Sequence, residues 1–315
     1  MSPVPPVDPV ISVIVPTYRH AGLIAECLDG ILGQRTTFSM EVLIGEDGSD
    51  DGTRAICERY AAEHPDRVRL FLNDRRNTIF LHGHPTGRWN VMNLYAHCRG
   101  RYIAICEGDD RWTDPGKLER QVRMMEQDLR CTGTYHDTRI IDHDGRDTGR
   151  LMRENLKERM EVPDLISTLA PFHTSSFVFR NSPLIRRLPD WVRYVGSLDL
   201  TVFLLVAGEG HLCRVPGVMS DYRRHAGGVT ASPLHNGPLF HHLRLLMWMN
   251  LDRHFHWRYT GPIEQLCRVH WQHIRAGASR TDRRLYVLEE MRRVPLWFVR
   301  HPRAIVRRLR DAFTR

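Results

Sequence analysis

Over its first hundred residues the chain alternates two hydrophobic patterns. Val10-Ile11-Ser12-Val13-Ile14-Val15 is a short, β-branched apolar run that stops at Pro16, the mark of a strand buried on both faces. Leu23, Ile24, Leu28, Ile31 and Leu32 then recur at helical spacing. Val42-Leu43-Ile44 predicts a second strand, followed by the turn-rich Asp47-Gly48-Ser49-Asp50-Asp51-Gly52-Thr53 and a helix through Ala55, Ile56, Tyr60 and Ala61. Val68, Leu70 and Leu72 alternate as a third strand. A Gly, His and Pro-rich loop leads to a helix around Trp89 to His97, and Tyr102 to Cys106 predicts a further buried strand. This order implies an α/β fold, a mostly parallel sheet with helices on both faces. Such sheets bind ligands at the carboxyl ends of their strands. Three polar segments fall there: Pro16-Thr17-Tyr18, Glu46-Asp47-Gly48 and Glu107-Gly108-Asp109-Asp110.

The middle of the chain is less regular. A short helix is expected from Val162 to Leu169, a strand at Phe177-Val178-Phe179, a buried helix from Asp199 to Ala207 and a strand from Leu212 to Val215. Beyond Pro238 the pattern is helical throughout. The reading divides the chain into a catalytic α/β domain over 1–230 and a basic helical region over 231–315. No Gly-x-Gly-x-x-Gly follows the first strand and no Walker-type Gly-Lys-Ser/Thr occurs, so the dinucleotide and P-loop fingerprints are absent.

Charge sharpens that division. The net charge is +8, yet residues 231–315 carry 16 Arg against 6 Asp or Glu, leaving the first 230 residues near −2. No apolar run approaches the ~18 residues of a membrane span. The opening Met1-Ser2-Pro3-Val4-Pro5-Pro6 reads as an extended lead-in rather than a signal peptide. Seven scattered cysteines without a Cys-x-x-Cys pair suit a cytoplasmic protein with reduced thiols. His82-Gly83-His84 sits in a Gly/Pro loop and reads as a turn more readily than as a metal pair.

Glu107, Asp109 and Asp110 crowd three carboxylates at the end of a buried strand. They repel one another and lose solvation if the site closes. A hard divalent cation carrying a phosphate-bearing ligand would compensate them; a solvated acidic turn ahead of a helix is the alternative.

Four ordered segments resemble family 2 glycosyltransferases across residues 10–230. They are Ile11-Ser12-Val13-Ile14-Val15-Pro16-Thr17-Tyr18; Glu46-Asp47-Gly48-Ser49-Asp50-Asp51-Gly52-Thr53; Glu107-Gly108-Asp109-Asp110; and Tyr222-Arg223-Arg224-His225-Ala226-Gly227-Gly228. The second matches the family's Asp-Asp-Gly-Ser-x-Asp-Gly-Thr, the third its Asp-x-Asp and the fourth its Tyr-Arg-x-His-x-Gly-Gly. The resemblance implies a GT-A fold and inverting transfer from a nucleotide sugar, with Mg²⁺ or Mn²⁺ as cofactor. It implies Asp109 as the main metal ligand, Asp110 as its alternative, and Glu107 in place of the usual first Asp. Pro16, Thr17 and Tyr18 would line the nucleotide, with Tyr18 against the base and Asp47 accepting from a uracil imide. Arg88 would contact phosphate, and Arg223 and His225 the diphosphate or metal. Asp199, ahead of an apolar helix, takes the place of the family's catalytic base, with Asp190 as a competitor; His173 would face the acceptor or cap local structure.

The tail adds a separate expectation. Ile305, Val306, Leu309, Ala312 and Phe313 would share one helix face, and Arg303, Arg307, Arg308 and Arg310 the other, next to the apolar Pro295-Leu296-Trp297-Phe298-Val299. Such a basic amphipathic helix suits an anionic membrane surface, here the inner face of the cell membrane; packing on the catalytic domain is the alternative. Nucleic acid is not an expected partner, since no recognition motif accompanies the charge. The reading is a metal-dependent transferase moving sugar from a nucleotide-sugar donor, a UDP-sugar by preference, to a glycan or lipid-linked acceptor of a surface polysaccharide. The rivals are a sugar-phosphate nucleotidyltransferase and a non-catalytic, carbohydrate-binding scaffold.

Overall fold

A computed structural model describes residues 8–166, 170–225 and 233–313. The strands and helices run in the order β1 (Ile11–Thr17), α1 (Ile24–Leu32), β2 (Met40–Glu46), α2 (Thr53–Glu63), β3 (Val68–Leu72), β4 (Ile79–Leu81), β5 (His84–Thr86), α3 (Arg88–His97), β6 (Tyr102–Ile105), β7 (Arg111–Trp112) and α4 (Lys117–Gln127). They continue with β8 (Cys131–Ile141), β9 (Asp147–Leu151), β10 (Arg159–Met160), α5 (Val162–Ile166), β11 (Val178–Arg180), α6 (Pro183–Arg186), α7 (Leu198–Gly208) and β12 (His211–Arg223). The helices α8 (Gly237–His254), α9 (Thr260–Gly277), α10 (Arg280–Arg293), α11 (Pro295–Arg300) and α12 (Pro302–Phe313) complete the chain.

The chain forms two compact units. Residues 1–189 and 202–225 make the first; 190–201 and 226–315 make the second. The first is built on a sheet with strand order β10-β12-β8-β11-β6-β1-β2-β3. β1, β2, β3 and β6 are parallel neighbours, and β11 is the antiparallel member that turns the ladder before β8 and β12, which again run parallel to each other. The carboxyl ends of β1, β2, β6, β8 and β12 therefore share one edge of the sheet. Ile11, Val13, Val15, Val42, Ile44 and Ala104 are fully buried between helices, which explains why their runs are uniformly apolar.

Two features differ from the sequence expectation. β8 reads as irregular because Thr132, Thr134, His136, Asp137 and Thr138 interrupt any apolar pattern. It is nevertheless an eleven-residue strand, buried at all positions but Arg139. Its polar groups are met locally: Gln121 Nε2 donates to Thr134 Oγ1 at 3.2 Å, and Arg214 Nη2 reaches Asp137 Oδ2 at 2.7 Å. β12 likewise runs on to Arg223, well past the expected Val215, and carries the Tyr222-Arg223 segment on the same strand. The Gly/His/Pro loop contains the β4–β5 hairpin. His82 and Gly83 are its two turn residues, with φ of 48° and 82°, the left-handed pair that suits a tight hairpin. The expected helix from Val162 is seen to Ile166; residues 167–169 lie outside the described residues, as do the lead-in and Ala226-Gly227-Gly228.

The second unit is helical. Leu243, Leu246, Trp248, Ile263, Trp271, Val287, Trp297 and Phe298 form its buried apolar set. Arg308 does not lie with the solvent-facing arginines of α12 as the sequence pattern suggests. It sits on the inward face with Ala304 and Ala312, pairs with Glu290, and lies 5.4 Å from the rings of Trp271, Trp297 and Phe298. A helical wheel counts it as polar, but its aliphatic stem and planar head suit an aromatic slot that holds a carboxylate. Among the described residues no helix is long and apolar enough to cross a membrane.

Candidate active site

The carboxyl ends of β1, β2, β6 and β12 bring the predicted segments together in the first unit. The β1 end hands its backbone to its neighbours. Asp47 N–H donates to Thr17 O at 3.0 Å, and Gly108 N–H donates to Pro16 O at 3.1 Å. Gly108 has to be glycine, since a Cβ there would meet Thr17 Oγ1 at 2.5 Å and His20 Nδ1 at 2.8 Å. The acidic loop after β6 is thereby held against the loop after β1.

That loop is itself braced by the Asp-rich turn after β2. Arg19 pairs with Asp50 through two bonds of 2.8 and 2.7 Å, His20 N–H donates to Thr53 Oγ1, and Ala21 N–H donates to Asp51. Glu46, fully buried, accepts from Ser49 N–H and Arg54 Nε and so shapes the turn. Tyr18 lies under the Arg75 guanidinium at 4.4 Å, and Arg75 Nη1 donates to Asp47 Oδ2 at 3.0 Å. Burial pushes the Asp47 carboxyl up, against the pull of Arg75.

The three acids behave differently. Asp109 Oδ2 accepts from His225 Nε2 at 3.0 Å and lies 3.8 Å from His20 Nε2. Burial raises the Asp109 carboxyl, but the two imidazoles outweigh it and hold the group below its ordinary range. The Asp109 contact lifts His225, whereas burial lowers His20. Asp110 turns inward: its Oδ1 accepts from Arg223 N–H at 3.0 Å and its Oδ2 lies 3.5 Å from His173 Nδ1. Burial first, then the charges of Asp109 and Glu107, push Asp110 well up. Glu107 accepts from Thr174 Oγ1 at 2.9 Å.

Arg223 is less free than the sequence suggests. Its guanidinium donates to Asp109 O, His143 O and Glu26, so it ties β12 to the acidic loop and to α1. His173 takes the capping role: it caps the turn Thr174–Ser176, stacks on Tyr222 at 4.1 Å, and is lowered by burial to about 4. Arg88 opens α3 with a buried side chain. Asp190 and Asp199 belong to the second unit, both exposed. Asp199 stands in the first turn of α7 behind Ser197, whose φ is 47°, and buried Arg244 donates to Ser197 Oγ at 2.8 Å.

A cleft of about 390 Å³ opens beside Asp109, lined by Arg19, His20, Glu26, Asp51, His143, Arg223 and His225. Five imidazole or guanidinium groups line it together with the acids Glu26, Asp51 and Asp144; the former suit an anionic ligand, and the Asp109 oxygen between two imidazoles offers O and N donors to one point. Such a set fits Mg²⁺ or Mn²⁺ once phosphate oxygens complete it. His20 and Arg75 are the site residues that sequence reasoning passed over. His20 follows Tyr18 by two positions, a signal available in the sequence; Arg75 had none, since it arrives from the turn after β3.

Residues 12–187 match the model of glycosyl transferase family 2, and the chain belongs to that family. An uncharacterized Mycobacterium tuberculosis protein is 33% identical over 218 residues, 69% of this chain and 60% of that relative's length. The chain thus spans less than two thirds of that relative. Among solved structures, S. aureus TarS 1–349 in complex with UDP-GlcNAc superposes with a TM-score of 0.57 at 16% identity, covering 96% of this chain and 81% of that one. The Pyrobaculum calidifontis mannosyltransferase PcManGT, in complex with GDP-Man and Mn²⁺, gives 0.53 at 19% identity, covering 99% and 88%. The fold is GT-A.

Proposed function

We propose that the chain is an inverting glycosyltransferase. It moves a sugar from a nucleoside diphosphate donor, with UDP-sugars the first class to test, to a glycan or lipid-linked acceptor in polysaccharide biosynthesis. The observation that carries this reading is Asp109, a carboxylate between two histidines just past the end of β6 and beside a cleft lined by Arg19 and Arg223. Family membership and the nucleotide sugars named for TarS and PcManGT support it.

Tyr18 packs against the base, and Asp47 with Arg75 meets its polar edge. Asp109 and His225 hold the metal, with Asp110 in reserve at the back of the same loop. When bound, the cation stabilises negative charge on the departing diphosphate. Asp110, by holding the Arg223 amide, keeps β12 and His225 in register with Asp109. Glu107, anchored by Thr174, faces the donor. Asp199 takes the proton from the acceptor hydroxyl, since an uncharged hydroxyl is a poor nucleophile. One displacement from the opposite side inverts the anomeric centre.

Incubation with UDP- and GDP-sugars and Mn²⁺ tests the reading. Release of nucleoside diphosphate, abolished by chelator, is expected. Release of pyrophosphate from a sugar phosphate and a nucleoside triphosphate would assign a nucleotidyltransferase instead. Absence of both, with no heat of donor binding, would leave a scaffold.

The second unit supports a membrane-surface role for the tail. Val299 and Val306 are 76% and 66% exposed, Leu296 and Phe313 are also exposed, and Arg303 and Arg310 stand among them. Apolar groups interleaved with arginine suit the headgroup layer of an anionic bilayer. Flotation with phosphatidylserine vesicles, weakened by salt and by Val299→Asp with Val306→Asp, is expected; a chain that stays soluble throughout overturns this part.

A further inference from the structure

At the edge of the sheet away from Asp109, β8 and β12 begin side by side, Cys131 opposite His211. There the Asp128 carboxylate, the His211 imidazole and the Cys213 thiol bring one ligand atom each within 4.8 Å of one another. The nearby Cys131 thiol donates to Gly133 O at 3.3 Å and stands outside this set. From these groups we propose a Zn²⁺ site formed by Asp128, His211 and Cys213, with the fourth position left to water.

The framework is rigid before any metal arrives. Asp128 ends α4, and its Oδ1 accepts from Arg130 N–H at 2.9 Å, leaving Oδ2 to face His211 Nε2 at 2.9 Å. Cys131 N–H bonds Asp128 O, and His211 N–H bonds Arg130 O at 3.0 Å. Gly210 lets β12 start this close, because a Cβ would meet Arg130 O at 2.3 Å. His211 is buried, whereas Asp128 and Cys213 are partly open, which provides an entry path. In a tetrahedral zinc centre, bonds of 2.0–2.3 Å separate the ligand atoms by about 3.3–3.8 Å. Asp128 and His211 need open by only a few tenths of an ångström. One sulfur, one imidazole and one carboxylate favour a borderline-soft dication over Mg²⁺, which takes oxygen. Binding replaces the Cys213 thiol proton and the proton shared by His211 and Asp128 with one cation that bridges the α4–β8 turn to β12. The site is separate from the cleft beside Asp109: it lies at the amino ends of strands whose carboxyl ends carry that cleft.

Cobalt(II) titration of the full chain tests this. One equivalent should produce the visible bands of a tetrahedral ion and a near-ultraviolet thiolate-to-metal band, displaced by Zn²⁺. Cys213→Ser and Asp128→Asn, both at partly exposed side chains, should abolish or weaken the thiolate band while keeping the wild-type circular dichroism. Asp109→Asn should retain it. Zinc should raise the melting temperature of Asp109→Asn and leave that of Cys213→Ser unchanged. No thiolate band in the wild type, or a band that survives Cys213→Ser, would overturn the proposal.

Discussion

The two units each bury charge, and they do so differently. In the second, Glu290 is fully buried and meets Arg308, a partner that never deprotonates, with His242 Nδ1 at 3.3 Å on its other oxygen. Three aromatic rings close over the pair. In the first, Asp109 is only partly buried, its side chain 21% exposed; its partners are the imidazoles of His225 and His20, and a cleft opens beside it. A permanent cation in a closed slot is a structural device. A titratable partner beside open space leaves the acid available to a ligand.

The largest expected effect breaks the closed pair. Glu290→Ala strands Arg308 among aromatic rings and should cost about 3–5 kcal/mol of unfolding free energy, read by denaturant titration. Nucleoside diphosphate release should change little per folded molecule. Asp109→Asn is the mirror image. It should lower metal-dependent transfer by about 10²–10³-fold, with little change in melting temperature, since the carboxamide can still meet His225. A large melting loss without loss of transfer would put Asp109 in the structural class.

A smaller effect concerns pH. Burial lowers His242, but Glu289 and Glu290 outweigh it and raise the imidazole above its ordinary value. The protonated form is therefore favoured in the folded state. Its stabilisation is complete below pH ~6.5 and declines as pH rises through the raised folded value. His242→Gln should flatten that decline in a series of unfolding curves. The smallest effect concerns the nucleotide side. Arg75→Ala removes the stack on Tyr18 and the bond to Asp47, and should weaken donor binding by about 0.5–2 kcal/mol in calorimetry, leaving stability nearly unchanged.

How much of this could be read in advance follows from what each residue depends on. β1, β2 and β6 were legible because strands buried on both faces must be apolar throughout. β8 was not, because Gln121 and Arg214, distant in sequence, satisfy its polar side chains. Tyr18, Asp47, Asp109 and His225 were nominated from local segments. Their division of labour was not, since Asp109 and Asp110 are adjacent in sequence yet face different partners. Arg223 reads as a ligand for diphosphate; that it also clamps three acceptors from separate segments was not legible. Arg308 reads as solvent-facing for the same reason that any wheel places charge outside.

By itself, the sequence determined the alternation of strand and helix, the basic character of the second unit and the residues available for chemistry at strand ends. These depend on neighbours within a few positions and on the solvation of each side chain. The tertiary structure alone decided which acid meets the histidines of the cleft, which is locked to β12, and which arginine is buried. Those outcomes depend on partners tens to more than a hundred residues away, and on burial, which sets how strongly each charge is felt.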